Sequence, residues 1–252
     1  MGTHRLFHTE AIDKVAATRK ILVWDAPVRV FHWLMVLCFA GAYLTAELDE
    51  WRLLHVTLGY TMAGLVVFRI AWGVIGTHHA RFTDFVRGPG SILRYFRGLL
   101  RGRPEHYVGH NPAGAMTILA FLLLTVIIAG SGWATDRGLA GDTMEELHEV
   151  LANLMLAIVG VHVAGVLAGS AVHRENLVAA MISGRKSGAP QDGIHSARRG
   201  VAVVLLICVL GFWWLQWQDA PARGASADGP VPAARPDVRE GADETEPHRA
   251  RS

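Results

Sequence analysis

Five runs of apolar residues, at about 30–46, 53–76, 115–134, 148–172 and 201–217, punctuate a chain whose other stretches are polar and charged. Each approaches the roughly 20 residues that a helix needs to cross a hydrocarbon core about 30 Å thick. The third, "AMTILAFLLLTVIIAGSGWA", carries no charge at all. None alternates with period two, so the runs do not suit the strands of a transmembrane barrel. The pattern predicts an all-α membrane protein, a four-helix transmembrane bundle followed by a fifth C-terminal transmembrane helix.

The segments between the runs divide the chain further. Residues 1–20 form a cytoplasmic leader, too polar and charged for a secretory signal. Residues 21–186 make the compact four-span domain, 187–200 a Gly/Ser/Arg linker, and 201–217 the fifth span. Residues 218–252 are rich in Ala, Pro and mixed charge, and predict a disordered tail. Within "RFTDFVRGPGSILRYFRGLLRG", Phe85, Ile92, Leu93, Phe96 and Leu99 suit one apolar face of a short helix lying on the membrane surface. A plain basic loop that sets topology accounts for the same residues.

Composition agrees with the pattern: 51% of the 252 residues are hydrophobic. The distribution of charge sets the orientation. Arg5, Lys14, Arg19, Lys20 and Arg29 precede or open the first span. Arg81, Arg87, Arg94, Arg97, Arg101 and Arg103 lie between the second and third, and Arg174, Arg185, Lys186, Arg198 and Arg199 between the fourth and fifth. The alternate connections, "ELDEW" and "TDRGLAGDTMEE", are mainly acidic. By the positive-inside rule the N-terminus is cytoplasmic and the C-terminus lies on the outer, periplasmic side. Lipid is the expected surrounding; nothing points to nucleic acid. Cys38 and Cys208 sit in different spans and read as small core residues.

Four of the 13 histidines fall within spans: His32, His55, His148 and His162. Ionisable groups at membrane depth are costly and usually functional. His148 and His162 are 14 residues apart, which puts them on one helix face and about 21 Å apart along its axis. With the spans alternating in direction, His32 and His162 share the cytoplasmic half, and His55 and His148 the periplasmic half. Two imidazoles at each depth suit a flat ligand clamped between helices. Zinc prefers about four ligands close together, whereas haem b takes two axial imidazoles inside an apolar bundle. The reading is two haem b groups, on His32 with His162 and on His55 with His148.

"WDAPVRVFHW", "LLHVTLGYTMAGLVVFRIAWG" and "LHEVLANLMLAIVGVHVAG" together resemble the bacterial cytochrome b561 and nickel–iron hydrogenase cytochrome b-subunit family, over roughly residues 21–186. The resemblance implies a four-helix inner-membrane protein holding two b haems and exchanging electrons with quinone, with ligand roles on His32, His55, His148 and His162. The fifth span and tail depart from that pattern, so partner and oligomeric state, a homodimer included, are not inherited.

Other residues admit two readings. Arg69, 14 residues after His55, and Arg29, one turn before His32, suit haem propionates through their planar forks, or snorkel to the inner surface. His78, His79, His106 and His110 match no compact metal spacing and read as interfacial; His173 reads as interfacial or as a quinone or propionate contact. "HEVLAN" lacks the second histidine of a zinc-protease motif. Trp24, Trp51, Trp133 and "WWLQW" suit interfacial aromatic belts. Gly59, Gly64, Gly160 and Gly165 suit close approach of a helix or a porphyrin. The function implied is transmembrane electron transfer through two b haems, between the quinone pool and a periplasmic redox partner such as a cytochrome c or hydrogenase. The competing class is a haem-free anchor or small transporter using its histidines for packing or proton movement.

Overall fold

The computed structural model of the protein describes residues 19–86, 88–101, 107–139 and 141–218. The expectations for the leader up to residue 18, for Arg87, Arg103 and His106, and for the tail from residue 219 lie outside them. In chain order the helices are α1 (Ala26–Leu44), α2 (Arg52–Ile75), the short α3 (Phe82–Phe85), α4 (Pro89–Leu100), α5 (Pro112–Asp136), α6 (Asp142–His173), α7 (Leu177–Ser183) and α8 (Arg199–Gln218). Strands β1 (Arg19–Leu22) and β2 (Arg185–Gly188) complete the fold. Five helices, α1, α2, α5, α6 and α8, are long and apolar enough to cross a membrane. The protein is an all-α, multi-pass membrane protein.

Local chemistry starts these helices where the apolar runs begin. Asp25 caps α1, its carboxylate accepting from Val28 N at 2.9 Å, with Pro27 in the first turn. Asn111 does the same for α5 through Gly114 N at 2.7 Å, ahead of Pro112. Helix α6 begins at Asp142, before its predicted span, and its 32 residues measure about 48 Å, more than the hydrocarbon core. Asp142 and Glu145 in its first turn suit the positive end of the helix dipole.

Helix α1 packs on α2, α5 on α6, and α2 on α5. At the first contact Gly41 leaves room for Leu58, whose Cδ1 would lie 2.7 Å from a Cβ added there. Cys38 is fully buried nearby with Ala42, Leu58 and Met62. Phe39 of α1 reaches the Leu124, Ile128 and Met155 cluster between α5 and α6. Helix α8 lies on α1 and α2: Leu205 and Val209 meet Leu65, and Trp213 Nε1 donates to Thr61 Oγ1 at 2.9 Å. Trp213 is therefore a packing residue, whereas Trp51, Trp133, Trp214 and Trp217 are exposed, as belt residues would be. Two sequence expectations change. Trp24 is buried against Ile21 and Val23, and Cys208 is on the outside of α8.

The end of the bundle that holds the basic loops is closed by two devices. Strand β1 pairs antiparallel with β2, Arg19 opposite Gly188 and Leu22 opposite Arg185. Residues 19 and 20, assigned to the leader by sequence, thus belong to the folded part, as do 187 and 188 of the linker. Gly184, at φ +79°, accepts from both Val23 N and Trp24 N, and a Cβ there would meet Trp24 O at 2.6 Å. The second device is Asp25 itself, 1% exposed. Beyond capping α1, it accepts from Trp72 Nε1 at 2.9 Å and Thr77 Oγ1 at 2.7 Å, fastening the start of α1 to the end of α2.

Asp25→Ala leaves those buried donors without an acceptor, and each such loss costs about 1–3 kcal/mol. Unfolding of the purified protein in detergent is expected to show a loss of at least about 3 kcal/mol, with Thr77→Val costing a fraction of that. A loss of only about 1 kcal/mol for Asp25→Ala, with none for Thr77→Val, would mean that Asp25 is only a helix cap.

Candidate functional site

The four span histidines sit towards the two ends of the helix bundle. His55 lies in the first turn of α2 and His148 near the start of α6, on the side where α1 ends. His55 and His148 come together, their ring centres 6.0 Å apart at 70°. Each ring is oriented by its Nδ1. His55 Nδ1 is 2.9 Å from Ala42 O, and His148 Nδ1 is 3.0 Å from Ile128 O and 3.2 Å from Ser131 Oγ. A carbonyl oxygen only accepts, so each Nδ1 carries the proton and each Nε2 keeps a lone pair. Backbone carbonyls fix imidazole ligands in this way in metal sites. The spacing also fits one metal ion between the rings: about 2 Å for each metal–nitrogen bond and about 1 Å from each nitrogen to its ring centre.

At the opposite end, His32 is near the start of α1 and His162 lies in the far half of α6. They are close enough for a charge on one to be felt by the other. His32 Nδ1 is buried without a hydrogen-bond partner among the described residues. His162 stands edge-on to Phe121 at 5.6 Å. Between the two levels, Tyr43 of α1 donates to Asn153 Oδ1 of α6 at 2.7 Å. The intervening walls, Phe39, Phe121, Leu124, Ile128 and Met155, are apolar.

The glycines separate into two kinds. At Gly59, Gly64, Gly160 and Gly165 an added Cβ meets nothing within 4 Å, so these residues do not wedge helices together. Gly59 and Gly165 lie one turn beyond His55 and His162, and neither packs closely against another helix. Gly132 is different: its Cβ would lie 2.9 Å from His148 Cε1. Neither Gly132 nor Ser131 stands out in the sequence, although "GSG" inside an apolar span is the signal that points to them.

Of the two arginines, Arg29 donates from Nη1 to Ile182 O at 2.6 Å and so ties α7 to α1. Arg69 is 2% exposed, with its guanidinium over the rings of Phe82 and Phe85. His78, His79 and His110 are gathered more closely than their spacing suggests. They line a pocket of about 170 Å³ with Asp84, Tyr107 and Asp192. Among the described residues no group of three or more His, Cys, Asp or Glu side chains is arranged to hold a metal ion.

Comparison with known proteins returns one family. Residues 23–184 match the family model described as prokaryotic cytochrome b561. The chain is similar to a probable Ni/Fe-hydrogenase B-type cytochrome subunit of Rhizobium leguminosarum bv. viciae, 24% identical across 74% of this chain and 97% of that protein. It is similar to a protein of the same description from Azotobacter vinelandii, 25% identical over 68% and 90% of the two chains. A probable Ni/Fe-hydrogenase 1 B-type cytochrome subunit of Escherichia coli K12 is 26% identical over 44% and 58%. No solved structure gives a significant match.

Gly132→Ala would push the His148 ring off its carbonyl. It is expected to shift the absorption and EPR signals of a centre at the His55–His148 end while leaving the other end unchanged. Gly130→Ala, where an added Cβ meets nothing within 4 Å, serves as the neutral control. Identical spectra for both variants would show that Gly132 does not set the position of His148.

Proposed function

The chain belongs to the prokaryotic cytochrome b561 family, b-type cytochromes that carry electrons across a membrane, and from that premise we propose that it holds two haems and links a redox partner outside the cell membrane to membrane quinone. The observation that carries the haem assignment is the His55–His148 pair, 6.0 Å between ring centres with both Nδ1 atoms engaged by backbone carbonyls. His32 and His162 form the second ligand pair, about 21 Å away along α6 by its helical rise. Haem b, when bound between two imidazoles, supplies a one-electron iron couple.

The chain's own residues supply the rest. The carbonyls of Ala42 and Ile128 hold two rings in one tautomer, with Nε2 available and their orientation fixed. Phe39, Phe121, Leu124, Ile128 and Met155 exclude water between the two levels and keep the surroundings weakly polarisable. Helix α6, which carries one ligand of each pair, fixes their separation. Arg69 and Arg29 lie at the depth where propionates of the His32–His162 haem would need a cationic partner.

The partner is proposed from the relatives, whose names describe hydrogenase cytochrome subunits. A hydrogenase-type donor on the acidic side, near the His55–His148 pair, would deliver electrons for transfer to quinone at the basic side. The orientation follows from Arg81, Arg94, Arg97, Arg101, Arg185 and Lys186 on one side, against Glu47, Asp49, Glu50, Asp142, Glu145 and Glu146 on the other. It makes the N-terminus cytoplasmic and the C-terminus periplasmic in a bacterial inner membrane.

Haem quantification against protein is expected to give about two per chain. Replacing His32 or His162 should disturb one spectral centre, and replacing His55 or His148 the other. Grouping of His32 with His148 would overturn the assignment. Reporter fusions after residue 218 are expected to be active only in the periplasm; a cytoplasmic signal would mean that one of the five helices does not cross.

A further inference from the structure

Three buried side-chain nitrogens make no hydrogen bond among the described residues: Nδ1 of His32, a terminal guanidinium nitrogen of Arg69, and Nδ1 of His110. The first belongs to the ligand pair already described. The other two converge on a single ring. The Arg69 guanidinium lies 5.8 Å from the centre of Phe85, and the His110 ring 4.8 Å from it, with Trp24 on His110 at 4.4 Å.

Arg69 is a buried cation without an ion pair among the described residues. The nearby acid, Asp25, is close enough to act on it electrostatically, yet its oxygens already accept from Val28 N, Trp72 Nε1 and Thr77 Oγ1. A buried guanidinium without a direct counter-charge is strongly unfavourable, and the faces of Phe82 and Phe85 offset only part of that cost. His110 adds no second charge. Burial first, and then the Arg69 charge, push its imidazole down to about 3, so the ring is neutral near pH 7 and offers one N–H and one lone pair. A buried cation beside a neutral donor whose Nδ1 is itself buried is the arrangement that recognises a single carboxylate. Along α1, Asp25 precedes His32 by two turns, about 10 Å, so Arg69 near it lies beyond the His32–His162 level, at the end of the bundle that holds the basic loops.

We propose that Arg69 and His110 together form a carboxylate seat, occupied by a propionate of the haem held by His32 and His162. This rests on the haem reading above. It adds His110, a loop histidine outside every span, to the residues that hold the group.

The test compares haem b with its propionate dimethyl ester, which retains the ring and iron but has no carboxylate, each reconstituted into the full-length protein. In the unsubstituted protein, esterification is expected to weaken retention at the His32–His162 centre about tenfold or more. It should leave the His55–His148 centre unaffected. Arg69→Gln and His110→Gln should each shrink that discrimination, and Arg69→Lys should keep most of it. Full discrimination in both glutamine variants overturns the seat, as does its absence in the unsubstituted protein. If Arg69→Gln does not fold, His110→Gln decides by the same comparison. Failure of haem b itself to give a bis-imidazole spectrum at this centre overturns the haem reading instead, so the two failures are distinct.

Discussion

An imidazole inside a bilayer has two nitrogens and no water, and the architecture around the span histidines follows from that constraint. A helix satisfies its own backbone and leaves no regular partner for a ring nitrogen. Here the carbonyls of Ala42 and Ile128 accept a second bond from a neighbouring helix, His55 to α1 and His148 to α5. Each bond engages Nδ1 and fixes the orientation of the ring, leaving Nε2 as the nitrogen not held by a carbonyl. Each also requires close helix approach: Gly41 lets α1 meet α2, and Gly132 leaves space for the His148 ring against α5. Helix packing and the orientation of these two rings therefore come from the same few contacts.

Most of the fold was legible because bilayer thickness forces a long apolar run on every crossing. The five helices lie where the runs predict, and the 14-residue interval from His148 to His162 is preserved because α6 is continuous across it. Contacts made by backbone atoms were not legible. No side-chain pattern marks the carbonyls that orient His55 and His148, nor the pairing of β1 with β2 across more than 160 residues of sequence. Asp25 carried a readable signal, an acid two residues before a proline ahead of an apolar run. That signal announces a cap but not the extra bonds from Trp72 and Thr77. Trp24 was read as interfacial because it precedes a span, yet tertiary packing places it against His110. The loop histidines were judged by sequence spacing, which says little once α3 and the turn after α2 fold back on one another.

The bundle is unevenly covered. Helix α8 shields α1 and α2, while α6 presents Val150, Leu154, Val161, Val163 and Leu167 to its surroundings along most of its length. The helix that carries His148 and His162 is thus apolar and exposed over much of its surface. Its position is held by α5 through Leu124, Ile128 and Met155, and by the Tyr43–Asn153 bond to α1.

The antiparallel pairing of Arg19–Leu22 with Arg185–Gly188 brings the two ends of the four-span unit to one point. The region shared with the family, residues 23–184, lies just inside that clasp. Sequence added before residue 19 or after residue 188 leaves from the same small area, at the end remote from the His55–His148 pair. Helix α8 follows from that area and packs back along α1 and α2, so the chain leaving the clasp returns to cover the bundle it came from.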